Sequence, residues 1–379
     1  MSRIAAMISR RSLFRTAALG AAAAATASFP SDLLSWTEPQ RVLQPAGPIL
    51  LNSNENAYGP FPSVLRLPNP FQNANRYPDH SIEVLKQKLA KLHKVGIDQV
   101  VLGCGSTEVL RMAAAAFTGP NRKLLMASPT FEAIGSYAEA AGSTVARVPL
   151  TFGSFAHNVA VMGSEAAKSG GLVYICNPNN PTGSLTPRRT LESFIRDLPK
   201  NVYVLIDEAY HDFVPVSADY ISFLDTPVND DRVVVTRTFS KIYGLAGLRL
   251  GYGISSPQTA KLLKRQKLED GANEVALRCA LASLDDSDEH EMAVMRNAND
   301  RAVFLHEAKM RKIPAITSWT NFVMIDCLRP VKTVIDYFMT NSILIGRPFP
   351  PMDTWARISL GTPDQMKAFW QVWDKMQKA

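Results

Sequence analysis

The first 27 residues contain no acid at all, although Arg3, Arg10, Arg11 and Arg15 lie there. The apolar run among them is too short and too alanine-rich to span a bilayer as a stable anchor. The chain has only four cysteines, Cys104, Cys176, Cys279 and Cys327. None forms a CxxC pair, and no His/Cys cluster has zinc spacing, so a structural metal ribbon is excluded and separate, mostly buried thiols are expected. There is no internal repeat and no low-complexity tract after the N-terminal segment, which excludes solenoids and disordered tails. Charge of one sign is also scarce. Without the first 27 residues, 37 basic residues face 34 acidic ones, a net +3, with no basic-aromatic cluster. That excludes a nucleic-acid footprint.

What is present at the N-terminus is Ser9-Arg10-Arg11-x-x-Phe14, an alanine-rich apolar run, and the small residues Ala25-Thr26-Ala27. A positive segment, a short apolar core and a small-residue site describe an export signal, here resembling the twin-arginine type. Residues 1–27 are read as this signal, with the mature protein periplasmic or secreted, and with no stable membrane anchor.

The 379 residues otherwise suit a soluble globular protein with two domains. Residues 28–75 are rich in Pro and Asn ("LNSNENAYGP", "NRYPDHS") and read as an N-terminal arm that forms part of a small domain. From Ser81, read as an N-cap, apolar spacing turns helical. Apolar runs then alternate with helical segments: "VVLG" (100–103), "KLLMAS" (123–128), "TVARVPL" (144–150), "GLVYIC" (171–176), "NVYVLID" (201–207) and "RVVVTRT" (232–238). A helix is expected to start at Thr186-Pro187, with Thr as cap and Pro at its first position. Such alternation predicts βαβ units and an α/β fold, a mostly parallel sheet covered by helices, over 76–285. Residues 286–379 carry a long helix (286–311), the strands "NFVMIDC", "SILIG" and "ARISLG", and a final helix, as a smaller α+β domain.

Polar clusters sit where the strands end: Gly103–Glu108, Asn177–Gly183, Asp207–Tyr210 and Thr238–Lys241. Open α/β sheets bind ligands at the carboxyl ends of their strands, so these clusters converge on one crevice. Lys241 is either a surface-loop lysine or, desolvated at a strand end, an amine able to form a Schiff base. Thr238, Ser240 and Arg249 are phosphate donors beside it. Gly105, Ser106 and Thr107 open a helix whose N–H groups attract anions, although a plain capped glycine turn looks the same in sequence. Asp207, ending an apolar run, needs a cationic partner, either a protonated ring nitrogen or a structural arginine. Asn180 and Tyr210 suit a phenolate oxygen, and Phe131 a ring face. A lysine for an aldehyde, an acid for a pyridinium, donors for a phenolate and a phosphate cup make an inventory for pyridoxal 5′-phosphate. A nucleotide oxidoreductase fits less well, because "GCGSTE" lacks the third glycine of the dinucleotide fingerprint. A cofactor-binding sensor would carry a DNA-binding segment, and none is seen before residue 48. His80 and His93 are read as surface groups, His211 as structural, Glu108 as a buttress of its helix, and the tryptophans as packing.

"NPNNPTG", "DEAY", "SKIYGLAGLRLGYG" and "RISLGT" resemble the motifs of the fold-type I, class I and II aminotransferases. "NENAYGP", "NRYPD" and "DEAYHDF" are similar to their histidinol-phosphate aminotransferase branch. The resemblance covers residues 48 to 378 and implies transamination between an amino acid or amino-alcohol phosphate and a 2-oxo acid such as 2-oxoglutarate. Lys241 resembles the lysine that carries the cofactor, Asp207 the partner of its ring nitrogen, and Asn180 and Tyr210 the holders of its ring hydroxyl. Ser106, Thr107, Thr238, Ser240 and Arg249 match its phosphate contacts. Tyr77 resembles a tyrosine that reaches the phosphate of a neighbouring subunit, which implies a homodimer. Arg357 resembles the arginine that binds a substrate carboxylate, and Tyr58 and Arg347 fall where substrate contacts are expected. Two features depart from the branch. Phe131 stands where it often has Tyr, and a biosynthetic enzyme would carry no export signal. A decarboxylase of a phosphorylated hydroxyamino acid, or an exported aminotransferase of free amino acids, are the alternatives within the fold.

Overall fold

A computed structural model describes residues 47–217, 219–269 and 271–377. The export signal read at 1–27, the first part of the arm and Trp36 lie outside the described residues. Among the described residues there are eleven strands: β1 (Ile49–Leu51), β2 (Val100–Cys104), β3 (Lys123–Ser128), β4 (Val145–Pro149), β5 (Gly171–Cys176), β6 (Val202–Asp207), β7 (Val233–Thr238), β8 (Leu250–Ile254), β9 (Phe322–Asp326), β10 (Ile343–Ile345) and β11 (Trp355–Ser359).

Seven of them form one sheet in the order β2-β8-β7-β6-β5-β3-β4. The pairs β3–β4, β3–β5, β5–β6 and β6–β7 are parallel. Only β8 runs antiparallel to its neighbours β2 and β7. The glycine-rich motif 244–253 hides this strand in the sequence. Gly251 lies against the Gly105–Ser106 backbone, where a Cβ would collide. Close approach of two backbones, not a turn, is what that glycine serves.

The strands are apolar on both faces because both are covered. Val173, Ile175, Val204, Ile206 and Val235 pack against the helices 79–93, 159–169, 188–197 and 274–285. Leu172, Tyr174, Leu205 and Val234 face the helices 106–117, 133–140 and 257–264. A second core holds the long helix Ser287–Met310, β9, β10, β11 and the helices 331–340 and 363–376. Phe304, Phe338, Phe369, Trp370 and Trp373 pile together at its centre. β1 joins this core by pairing parallel with β10, Ile49 opposite Ile343.

Two expected helix caps are displaced. The helix at 79–93 starts at Asp79, with Pro78 at the cap, so Ser81 falls inside the first turn. Asp79 there complements the positive end of the helix dipole. The next displaced helix starts at Arg188, with Pro187 at the cap position. The Thr186 hydroxyl is already taken by the His157 N–H (2.9 Å) and ring (2.8 Å). His93 is buried rather than on the surface, bonded to the Tyr252 hydroxyl at 2.9 Å. Glu108 is a buttress, accepting from the backbone N–H of Cys104 and of Leu268. All four cysteines are free thiols, with Cys104 exposed and the others buried. Among the described residues, no helix is long and apolar enough to cross a membrane.

Candidate active site

β5 and β6 end level with one another, because Cys176 pairs with Asp207, and β7 runs two residues past Thr236, the partner of Asp207, to Thr238. Their carboxyl ends open into a crevice of about 720 Å³, within the range of small-molecule sites. Its lining includes Ser106, Thr107, Phe131, Asn180, Asp207, Tyr210, Thr238, Ser240, Lys241, Arg249, Arg347 and Arg357. Twelve of the fifteen residues that the sequence offered as site residues therefore meet there, all but Tyr58, Tyr77 and Gly105.

Lys241 follows β7, and its Nζ donates to the carbonyls of Asn54 (3.1 Å) and Ser53 (3.3 Å). Neither acceptor is a carboxylate, so among the described residues the ammonium has no counter-charge at bonding distance. Burial, helped by the cations Arg357 and Arg249, brings its pKa down to about 8. A sizeable fraction of the free amine therefore exists near neutral pH, as a nucleophile or a base requires.

Asp207 is buried at the end of β6. Its Oδ2 accepts from the Tyr174 hydroxyl (2.9 Å), and its Oδ1 from the Thr236 hydroxyl and the Ala209 N–H, both at 3.2 Å. Burial raises its pKa, and these three hydrogen bonds oppose the rise. Tyr210 accepts from Asn54 Nδ2 at 2.9 Å, which leaves its own proton to donate into the crevice. Burial keeps that phenol protonated by raising its pKa.

The anion cup has two walls. One is the N-terminus of the helix 106–117, whose cap residue Gly105 supplies no side-chain bond to the first-turn N–H groups. The other is Thr238, Ser240 and Arg249, linked by Thr238–Ser240 (2.9 Å) and Arg249–Ser240 (3.3 Å) hydrogen bonds. Gly105 has φ +71, and a Cβ there would strike the Arg249 guanidinium. Glycine thus serves the cup from behind without lining the crevice.

Arg357, on β11, is buried. Its Nη1 donates to Asn180 Oδ1 and its Nη2 to the Asn52 carbonyl, both at 2.6 Å, while its Nε has no partner. Burial lowers its pKa, yet a guanidinium stays charged at neutral pH. The guanidiniums of Arg357 (4.7 Å) and Arg347 (4.5 Å) both lie over the Phe349 ring. Arg347 is half exposed and paired with Glu132 at 2.6 Å.

Two expected residues lie elsewhere. Tyr58 does not reach the crevice. Its hydroxyl donates to Asp300 (3.0 Å), with Arg296 over its ring, beside a separate cavity of about 20 Å³ that suits one water. The hydrogen bonds of Asn56 to Tyr58 and Ile242 turn the chain that way. Tyr77 is 77 % exposed and lines no part of this crevice. His211 bonds Tyr220 and is also absent from the lining. The sequence assigned no role to Asn52 and Asn54, which anchor Arg357, Lys241 and Tyr210, or to the pair Tyr174 and Thr236. The signal was there: "NSNEN" is one more polar cluster at a strand end, and a tyrosine in an otherwise apolar strand must find an acceptor.

Four cations and two carboxylates, Glu55 and Asp207, line the crevice, so it suits an anionic ligand. An amine without a counter-ion, a buried carboxylate held only by neutral donors, a phosphate cup backed by glycine and free donors on Tyr210 and Asn180 fit pyridoxal 5′-phosphate. The family model of aminotransferase class I and II matches residues 46–372. The chain is 33 % identical over 318 residues to the histidinol-phosphate aminotransferase of Caldicellulosiruptor saccharolyticus, covering 83 % of this chain and 87 % of that one. The crystal structure of histidinol-phosphate aminotransferase from Sinorhizobium meliloti in complex with pyridoxal 5′-phosphate superposes with a TM-score of 0.78 at 26 % identity, covering 84 % and 88 %. L-threonine-O-3-phosphate decarboxylase from Porphyromonas gingivalis shares the fold at 20 % identity, with a TM-score of 0.74 over 87 % of this chain and all of that one. The chain belongs to the class I and II aminotransferases, enzymes that use pyridoxal 5′-phosphate.

Proposed function

We propose that this class I and II aminotransferase moves the amino group of histidinol phosphate, or a closely similar amino-alcohol phosphate, to a 2-oxo acid such as 2-oxoglutarate. The observation that carries the reading is the pair of guanidiniums on Phe349. Arg347 and Arg357 form a second anion site, built from residues other than those of the Arg249 cup, and the buried Arg357 keeps one donor unused. A substrate with its own phosphate or carboxylate supplies the missing acceptor.

In this reading Ser106, Thr107, Thr238, Ser240 and Arg249 hold the cofactor phosphate, Asp207 its ring nitrogen, Asn180 and Tyr210 its ring hydroxyl, and Phe131 its face. When bound, pyridoxal 5′-phosphate supplies an aldehyde to carry the amino group and a ring that draws electrons from the substrate Cα. Lys241 takes the Cα proton at Nζ, which its depressed pKa makes available, and returns a proton as general acid. Asp207, whose three donors oppose the rise that burial gives its pKa, would keep the ring nitrogen charged as a carboxylate. Arg357 fixes the orientation of the substrate anion.

The test is kcat/KM for histidinol phosphate against histidine, tyrosine and phenylalanine, with 2-oxoglutarate as acceptor. A preference above about a hundredfold, or ~2.7 kcal/mol of transition-state binding, establishes the reading. No turnover of histidinol phosphate overturns it in favour of a free amino acid donor, for which the planar, buried Arg357 and the export signal speak.

We also infer a homodimer, because Tyr77, with Phe71 and Leu65, is exposed and outside its own crevice, where it is available to a neighbouring copy. Sedimentation of a fully active monomer would overturn this. Export is inferred from the Arg10-Arg11 segment alone. Replacing both by Lys should leave the protein in the cytoplasm with its N-terminus uncut.

A further inference from the structure

We propose that Tyr174 is a positioning residue for the reaction: its hydroxyl fixes Asp207 as an oriented carboxylate aimed at the cofactor's ring nitrogen. Tyr174 lies on β5 opposite Leu205 of β6, two residues before Asp207 on the same face. That diagonal is within reach of an aromatic side chain. The side chain is fully buried, in a strand whose every residue is buried. Phenylalanine would fill the same space, so packing does not call for the hydroxyl. A buried phenol must donate to an acceptor, and here it donates to Asp207 Oδ2 at 2.9 Å.

The division of labour on Asp207 makes this bond matter. Oδ1 has two donors, Thr236 and Ala209, and Oδ2 has Tyr174 alone. No arginine or lysine pairs with this carboxylate among the described residues, so neutral donors alone oppose the cost of burying its charge. The titratable groups that face it are Tyr174 and Cys176 on β5, Tyr210 after β6 and Lys241 after β7, and Glu208, next in the chain and turned to the other side, adds a like charge nearby. Burial raises the phenol's own pKa far above neutrality, so Tyr174 remains a donor. A carboxyl that takes up a proton loses its attraction for a charged ring nitrogen.

The inference rests on the reading of Asp207 given above, and the test separates the two. In the full-length chain freed of cofactor, the protonated carboxyl of Asp207 is identified by infrared difference spectroscopy as the band lost in Asp207→Asn, and is followed against pH. In Tyr174→Phe its protonation midpoint should move up by about one unit or more, a tenfold gain in proton affinity. Thr236→Val should move it less in the same direction, because Ala209 still serves Oδ1. The affinity for pyridoxal 5′-phosphate should weaken in the same order, most at the acidic end. A midpoint that is unmoved or lowered in Tyr174→Phe overturns the proposal, whatever the variant's melting temperature. Should that variant not fold, the wild type decides. The ring resonances of Tyr174 must titrate together with Asp207 and stop doing so in Asp207→Asn; their indifference to Asp207 overturns the proposal. If instead Asp207→Asn binds the cofactor as tightly as wild type, the role assigned to Asp207 falls while the Tyr174 hydrogen bond stands.

Discussion

Asp207 and Glu208 are consecutive buried carboxylates at the end of β6, and the two sides of the sheet treat them in opposite ways. Strand alternation sends Thr236 to the Asp207 side and Arg237 to the Glu208 side. Glu208 is fully matched. Arg237 donates to it through Nε and Nη2 at 3.2 Å, Ser222 at 2.6 Å and the Phe223 N–H at 2.8 Å. Behind it, Asp212 pairs with His290 at 2.9 Å. Among the described residues, Asp207 has three neutral donors and no cation. The same contrast separates Arg237, which is paired, from Lys241 and Arg357, which end on carbonyl oxygens. A buried charge with its counter-charge is part of the scaffold; one left without a counter-charge waits for a ligand.

The largest effect expected from breaking this contrast falls on Lys241. Lys241→Ala should reduce turnover below about 10⁻⁴ of wild type, the upper end for a lost acid–base group. It should leave weak, non-covalent cofactor binding, because the cup does not use Lys241. Rapid-quench turnover and a fluorescence titration of the cofactor check the two halves; near-normal transamination would remove Lys241 from the mechanism.

Next in size is the paired experiment on β6. Asp207→Asn should cut kcat by orders of magnitude with little change in unfolding free energy. An effect under about tenfold, ~1.4 kcal/mol, would make Asp207 structural. Glu208→Gln should do the reverse. It strands the buried Arg237 and should cost about 3–5 kcal/mol of stability, while folded molecules keep most of their kcat. Urea denaturation and kcat on the same preparations separate them; equal loss of stability in both variants would dissolve the contrast.

The strand-end clusters were legible because each is a polar run closing an apolar one, and topology then brings such ends together. What stayed hidden was how each charge is matched. Nothing in "YICNPNN" says that Tyr174 serves a carboxylate 33 positions on, since that depends on the register of β5 against β6. The partner of Arg357 is likewise set by the antiparallel β9–β11 pair and by the Asn52 carbonyl 305 positions away. The place of Tyr58 was not legible either, because a motif gives sequence position, while the hydrogen bond to Asp300 sets where the ring points. The strand β8 was masked by glycines that read as turn formers but serve close packing.

A smaller effect concerns pH. The pKa of Lys241 is depressed from 10.5 in the unfolded chain to about 8 in the fold, so between those values the unfolded chain binds more protons. Stability of the cofactor-free chain should therefore rise with pH across that window, by up to about one proton's slope. The measure is the difference between wild type and Lys241→Met in urea titrations from pH 7 to 11. A difference that is flat across the window would mean that the ammonium is solvated after all.

The smallest effect is expected at the mouth of the crevice, where Glu132 partly matches Arg347. Both side chains are about half exposed, and such a pair contributes about 0–1 kcal/mol to stability, so Glu132→Gln should leave folding unchanged. Its consequence is electrostatic. Arg347 lines the crevice, and Glu132 cancels part of its charge before any substrate arrives. Removing that carboxylate frees Arg347 for the more highly charged ligand. Histidinol phosphate and histidine carry the same imidazole but differ in a dianionic against a monoanionic group. The ratio of their kcat/KM values should therefore rise about two- to tenfold in Glu132→Gln. The rise should shrink as salt increases, because the groups are exposed to screening. Glu208→Gln, buried on the other side of the sheet, should leave the ratio where it is. An unchanged ratio in Glu132→Gln at low salt would mean that Arg347 faces solvent rather than substrate, and Arg357 would then bind the anion alone.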